Sequence, residues 1–238
     1  MMNIEFRPQD AIERPTIAKQ IAEALKDAIV WLDLKPGDGI SESEIASRFG
    51  VSRQPVREAF IQLADQGLLR VRPQRATEVV RISVRDVLNA TFVRMALEVA
   101  LSRRAALASG GVGKDHFEDV LARQETAVQA DDYKAFQALD DEFHRMIATL
   151  AGKDHVWRLI DHQKAQMDRV RYLSLGLGMA QTVEEHRRIV EPIMAGDGEG
   201  AERAMEEHLS KIEAKVWDLR ERHMTFFVPD ESPDDITL

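Results

Sequence analysis

Apolar residues recur at helical spacing along most of the chain. Ile17, Ile21, Leu25, Ala28, Ile29 and Leu32 share one face of a helix predicted over about 15–32. Pro36-Gly37-Asp38 then marks a turn. Ser41 and Glu44 stand at capping-box spacing at the start of a short helix, Glu42 to Phe49, which stops at Gly50. Ser52 caps a third helix, Arg53 to Gln66, with Pro55 in its first turn, where a missing N–H costs little. Two short strand-like runs, Leu68 to Val71 and Thr77 to Arg81, flank a polar tip and predict a hairpin. Helix, helix, tight glycine turn, helix and hairpin, in that order, predict a winged helix-turn-helix.

Beyond Ser83 the strand signal stops. Helices are predicted at about 84–109, 115–130, 132–151, 155–175, 182–195 and 198–226, with glycine-rich breaks between several of them. The expected fold class is mainly α: a winged helix-turn-helix over 1–82 joined to an all-helical bundle over 83–226. The acidic, proline-containing end, 227–238, is expected to be a loose tail.

Charge changes this picture by its distribution. The chain carries a net charge of -9, which taken as a whole is ill suited to nucleic acid. Residues 1–82, however, hold 12 basic and 12 acidic side chains, so the deficit lies in the remainder. Between 48 and 81, seven arginines stand against Glu58, Asp65 and Glu78. A locally basic module on an acidic body suits phosphate binding at one end only. A recognition helix would begin Ser52-Arg53-Gln54-Pro55-Val56-Arg57. Arg53 and Arg57 share a helix face and could reach guanine edges or phosphates. Gln54 could read a base edge, while Ser52 and the helix-start N–H groups suit a phosphate. Arg72, Gln74 and Arg75 on the hairpin tip could reach backbone or minor groove. Either recognition-helix arginine alone also reads as a solvated surface charge; the ordered pattern selects DNA.

Cysteine is absent, so any metal must use His, Asp or Glu. Asp140 and His144 share one helix face, and His186 and His208 lie on two other predicted helices. One Asp with three His can build a nitrogen–oxygen site inside a bundle. Spacing alone does not bring distant helices together, and His144 by itself also reads as a hydrogen-bonded core residue. A metal-dependent enzyme that activates water and a zinc-stabilised DNA-binding adaptor are competing readings; no nucleophile paired with a base supports the first. The chain has neither a long apolar span nor an export pattern, so a cytoplasmic protein with no membrane partner is expected.

The stretch SESEIASRFGVSRQPVREAFIQLADQGLL closely resembles the core of the GntR family's DNA-binding domain. RMALEVALSRRAA, DDEFHRMIATLAG and VEEHRRIVEPIMAGDGEGAERAMEEHLSKI resemble the FCD effector domain of its FadR-like branch. The resemblance implies a homodimer on double-stranded operator DNA, with repression relieved by a small carboxylate effector. It makes Arg53 and Arg57 operator contacts and 72–75 the wing. It makes Asp140, His144, His186 and His208 the metal ligands, with zinc expected first and nickel or manganese as alternatives. Arg94 matches a pocket arginine of the family, and Arg171, with Arg169, is placed to meet the effector's carboxylate. Two departures stand out: Ala76 where the family usually has Gly, and Lys153 where Asn is common.

Overall fold

The structure is a computed structural model that describes residues 15–71, 76–111, 113–174, 178–229 and 231. The expected wing-tip residues Arg72, Gln74 and Arg75 lie outside the described residues.

The N-terminal module contains α1 (Ile17–Val30), β1 (Gly39–Ile40), α2 (Glu42–Phe49), α3 (Arg53–Asp65), β2 (Leu69–Arg70) and β3 (Thr77–Val79). Ser41 Oγ accepts from Glu44 N at 3.1 Å, and Gly50 ends α2 at φ 66, a conformation that favours glycine. Ile21, Leu25 and Ile29 of α1 pack against Val56, Phe60 and Leu63 of α3. The sheet has a strand that the hydrophobic pattern did not predict. β1 pairs antiparallel with β3, Gly39 opposite Glu78, in the order β1-β3-β2. Two residues directly after a turn carry no alternation to detect.

The remainder is helical: α4 (Val84–Ser109), α5 (Lys114–Gln129), α6 (Tyr133–Leu150), α7 (Asp154–Gln163), α8 (Ala165–Ser174), α9 (Met179–Ala195) and α10 (Gly198–Arg222). α4 is the central helix, packed on α6, α8, α9 and α10. Phe117, Phe136, Phe143, Ile147 and Ile189 fill the core around it. Among the described residues no helix is long and apolar enough to cross a membrane.

The single helix expected at 155–175 is two. The break falls at Lys164, whose buried ammonium donates to Asp141 at 2.8 Å and Asp168 at 2.6 Å. α7 buries Trp157 and Ile160, whereas α8 turns to meet both modules. Its Ala165 joins the N-terminal core. Gln166 Nε2 donates to Gly67 O, just past α3, at 2.6 Å. Arg169 was expected near the effector cavity. It faces the linker instead, fully buried, donating from Nη1 to Val80 O at 2.7 Å. Burial lowers its pKa to about 10.

The tail expected to be loose from 227 starts firmly attached. A 3-10 turn, Met224–Phe226, leads to Phe227, which is buried. Ile82 N donates to Phe226 O and Val228 N to Ile82 O, both at 2.9 Å. Glu231 accepts from Ser83 Oγ at 2.8 Å and from Val84 N at 2.7 Å. The reason is a demand for partners: the linker backbone and the first turn of α4 both carry groups that need them, and a carboxylate suits a helix start. Phe227→Ala should therefore destabilise the protein by about 3 kcal/mol. Urea unfolding tests this, and an unchanged midpoint would mean that the strap does not dock in solution.

Candidate DNA-reading helix and metal centre

α3 presents its polar residues outward because Val56, Ala59, Phe60 and Leu63 fill its inner face. Arg53 and Arg57 are well exposed, with side chains 65% and 58% accessible. Both lean on Glu42 at the start of α2. Arg57 Nε donates to Oε1 at 3.0 Å, and Arg53 Nη2 to Oε2 at 3.2 Å. The hydrogen bond from Arg57 is the main reason the Glu42 carboxyl lies below its ordinary pKa. Gln54 Nε2 donates to Glu58 at 3.0 Å. Ser52 occupies the N-cap position without making a side-chain cap bond, so the first N–H groups of α3 remain available to an anion.

The four expected metal ligands come together from three helices. Asp140 and His144 project from α6, His186 from α9 and His208 from α10. One ligand nitrogen from each histidine lies within 4.8 Å of the others. His186 Nε2 is 3.5 Å from Asp140 Oδ1, and His144 Nε2 is 3.7 Å from Asp140 Oδ2. Phe143 stacks on the His186 ring at 4.0 Å.

The opposite edge of each ring meets an oxygen. His144 Nδ1 lies 2.6 Å from Glu98, His186 Nδ1 2.9 Å from Gln124 Oε1, and His208 Nδ1 2.9 Å from Glu185. Carboxylate and amide oxygens only accept, so a neutral ring at His186 or His208 donates from Nδ1 and keeps its lone pair on Nε2. Burial pushes the pKa values of His186 and His208 down, keeping them neutral. His186 Nε2 is buried without a hydrogen-bond partner. Burial alone would raise the Asp140 carboxyl, but the Arg171 guanidinium holds it well below the usual range. Three imidazoles that converge on an ionised carboxylate, each backed by an oxygen, are a donor set that fits a divalent ion.

A cavity of about 100 Å³ adjoins this centre, lined in part by Asp140 and His208. Arg94 and Arg171 both line it. Arg94 Nε donates to Glu98. Arg171 donates from Nη2 to Asp140 and from Nη1 to Asp168 at 3.4 Å.

The model of the bacterial regulatory proteins, gntR family, matches residues 17–79, and that of the FCD domain matches 90–211. The chain belongs to the GntR family. It is a transcription regulator and not an enzyme. The HTH-type transcriptional repressor RspR of Escherichia coli K12 is 38% identical over 213 residues, covering 89% of this chain and 93% of that protein. A probable D-xylose utilization operon transcriptional repressor of Paenarthrobacter nicotinovorans is 32% identical, covering 84% of this chain and 88% of that one. The solved structure of E. coli McbR/YncC shares the fold at a TM-score of 0.72 and 20% identity, with 88% and 100% covered.

In this GntR-family chain, sequence reasoning gave no role at either site to Glu42, Glu98, Gln124 or Glu185. Each acts on a residue of another helix, and no local spacing announces that. Gln124→Leu should weaken zinc binding about 10–100-fold while leaving the helical circular-dichroism signal intact. A competition titration with a chromogenic chelator measures it; unchanged affinity would mean that the amide does not orient His186.

Proposed function

We propose that this regulator is a homodimeric, metal-loaded repressor whose grip on operator DNA loosens when a small organic acid enters the cavity. The observation that carries the reading is the position of α8. One of its residues, Arg171, holds Asp140 at the cavity. Two others, Gln166 and Arg169, hold Gly67 past the end of α3 and Val80 in the linker.

On DNA, Arg53 and Arg57 exchange Glu42 for phosphates or guanine edges. Ser52 and the start of α3 meet a phosphate, Gln54 reads a base edge, and the wing residues Arg72, Gln74 and Arg75 extend the contact. A two-fold dimer presents two such helices to a pseudo-palindrome. At the other end, Asp140, His144, His186 and His208 would hold the ion, zinc first and nickel or manganese as alternatives. A bound divalent ion supplies a Lewis-acidic position for the effector's carboxylate. Glu98, Gln124 and Glu185 keep the rings oriented, while Arg94 and Arg171 orient the acid. An acid that draws on Arg171 acts on α8. A ligand that favours one α8 position shifts the population and alters operator affinity. Names given to relatives, two of them repressors, support the direction of control. Such a regulator works in the cytoplasm.

Arg57→Ala should weaken binding to an operator recovered by in vitro selection at least about tenfold, and should reduce the salt slope by about one. His186→Ala should bind that operator like wild type but lose zinc and the effector response. Fluorescence anisotropy with and without the acid measures both, and an Arg57→Ala protein with full affinity would remove α3 from the groove.

A further inference from the structure

The cavity holds cationic groups that the reading above leaves unused. His208, Lys211, Ile212 and Lys215 line it from one face of α10, at helical spacing. Lys211 is committed to Glu185 at 2.5 Å. Lys215 makes no ion pair or hydrogen bond among the described residues. Its Nζ rests near Gly178, 3.7 Å from where a side chain there would begin. Deeper in, Arg94 is only 5% exposed, and its Nη2 has no hydrogen-bond partner. The free Nη2 of buried Arg94 and the exposed ammonium of Lys215 therefore face the same space.

Charge balance gives these donors a meaning. Glu98 is matched by Arg94, Glu185 by Lys211, and Asp140, Asp141 and Asp168 by Arg171 and Lys164. With the imidazoles neutral, as ligation requires, those groups together with Lys215 sum to zero. A divalent ion would then leave one positive charge among the buried groups and a second on Lys215, which is exposed at the rim. A monocarboxylate offsets one of them and a dianion both. Size sets a further limit. The cavity, about 100 Å³, is smaller than the roughly 150 Å³ that holds a benzene ring. His208 and Lys215 are seven residues apart, about 10 Å along the helix axis, and a lysine side chain spans much of that distance.

We propose that the effector is a small dianion, a diacid of three or four carbons, and that Lys215 selects it by receiving the second carboxylate. The first lies toward the metal ligands and Arg94. This rests on the cavity being the effector site. Lys215 is thus a specificity determinant, and monoacids of the same length bind without its help.

The test uses full-length, zinc-loaded protein and two matched pairs, succinate against butyrate and malate against lactate. Calorimetric affinity and melting temperature are the readouts. Each diacid should bind at least tenfold tighter than its monoacid partner. Lys215→Met should reduce the diacids to the level of the monoacids, and Lys215→Arg should restore the preference. Equal binding of diacid and monoacid by the wild type, or a preference that survives Lys215→Met, would overturn the proposal alone. If none of the four acids bound or shifted the melting temperature, the effector reading of the cavity would fall with it.

Discussion

The Asp140 carboxylate is 2% exposed and ionised, and much of the helical module is arranged around keeping it so. A carboxylate moved out of water without partners costs several kcal/mol even after the surroundings relax. Arg171 supplies the main compensation. Arg171 brings its own requirement, since a buried guanidinium must also be matched. Asp141 and Asp168 meet it, and Lys164 in turn balances them. One buried charge on α6 thereby dictates the side chains along the start of α8 and fixes where that helix lies.

The same carboxylate faces two ways. Oδ1 points toward His186, while Oδ2 is held by Arg171. Asp140 can therefore stand in a metal site and remain tied to α8. Glu98 repeats the arrangement on α4, with one oxygen toward Arg94 and the other toward His144. The centre and the cavity are thus joined through shared carboxylates, so a ligand meeting Arg94 or Arg171 also meets groups that orient the imidazoles.

Legibility followed locality. α2 and α3 could be read because Ser41, Gly50, Ser52 and Pro55 act within their own turns. Asp140 and His144 could be paired because four residues make one helix face. His186 and His208 were candidates by residue type, and only the family resemblance joined them to Asp140 and His144, since no period connects separate helices. Glu98, Gln124 and Glu185 look in sequence like ordinary helix residues; only the packing of α4, α5 and α9 around the rings gives them a purpose. The break at Lys164 was invisible for a related reason. A lysine in an amphipathic pattern reads as solvated, and nothing local says that Asp141 waits across the bundle. Arg169 and Arg171, two residues apart on α8, were both assigned to the cavity, yet positions at that spacing face different sides of a helix. Phe227 was read with the acidic tail around it, and its burial depends on a linker far away in sequence.

The two ends of the molecule use ion pairs of different kinds. Glu42 holds Arg53 and Arg57 at a wet surface, where such pairs contribute little. If they meet DNA as proposed, exchanging Glu42 for phosphates would cost little. Arg169 is the opposite case. It is fully buried, and its Nε and Nη2 lack hydrogen-bond partners. Its bond to Val80 O is charge-assisted, a type that contributes roughly 1.5–3 kcal/mol. Coupling between an effector site and a DNA site usually amounts to about 1–3 kcal/mol. One such bond, made in one position of α8 and lost in another, is enough to carry that signal. The linker contact is therefore where a ligand's preference would become a change in operator affinity, and the exposed arginines are where that change would be felt.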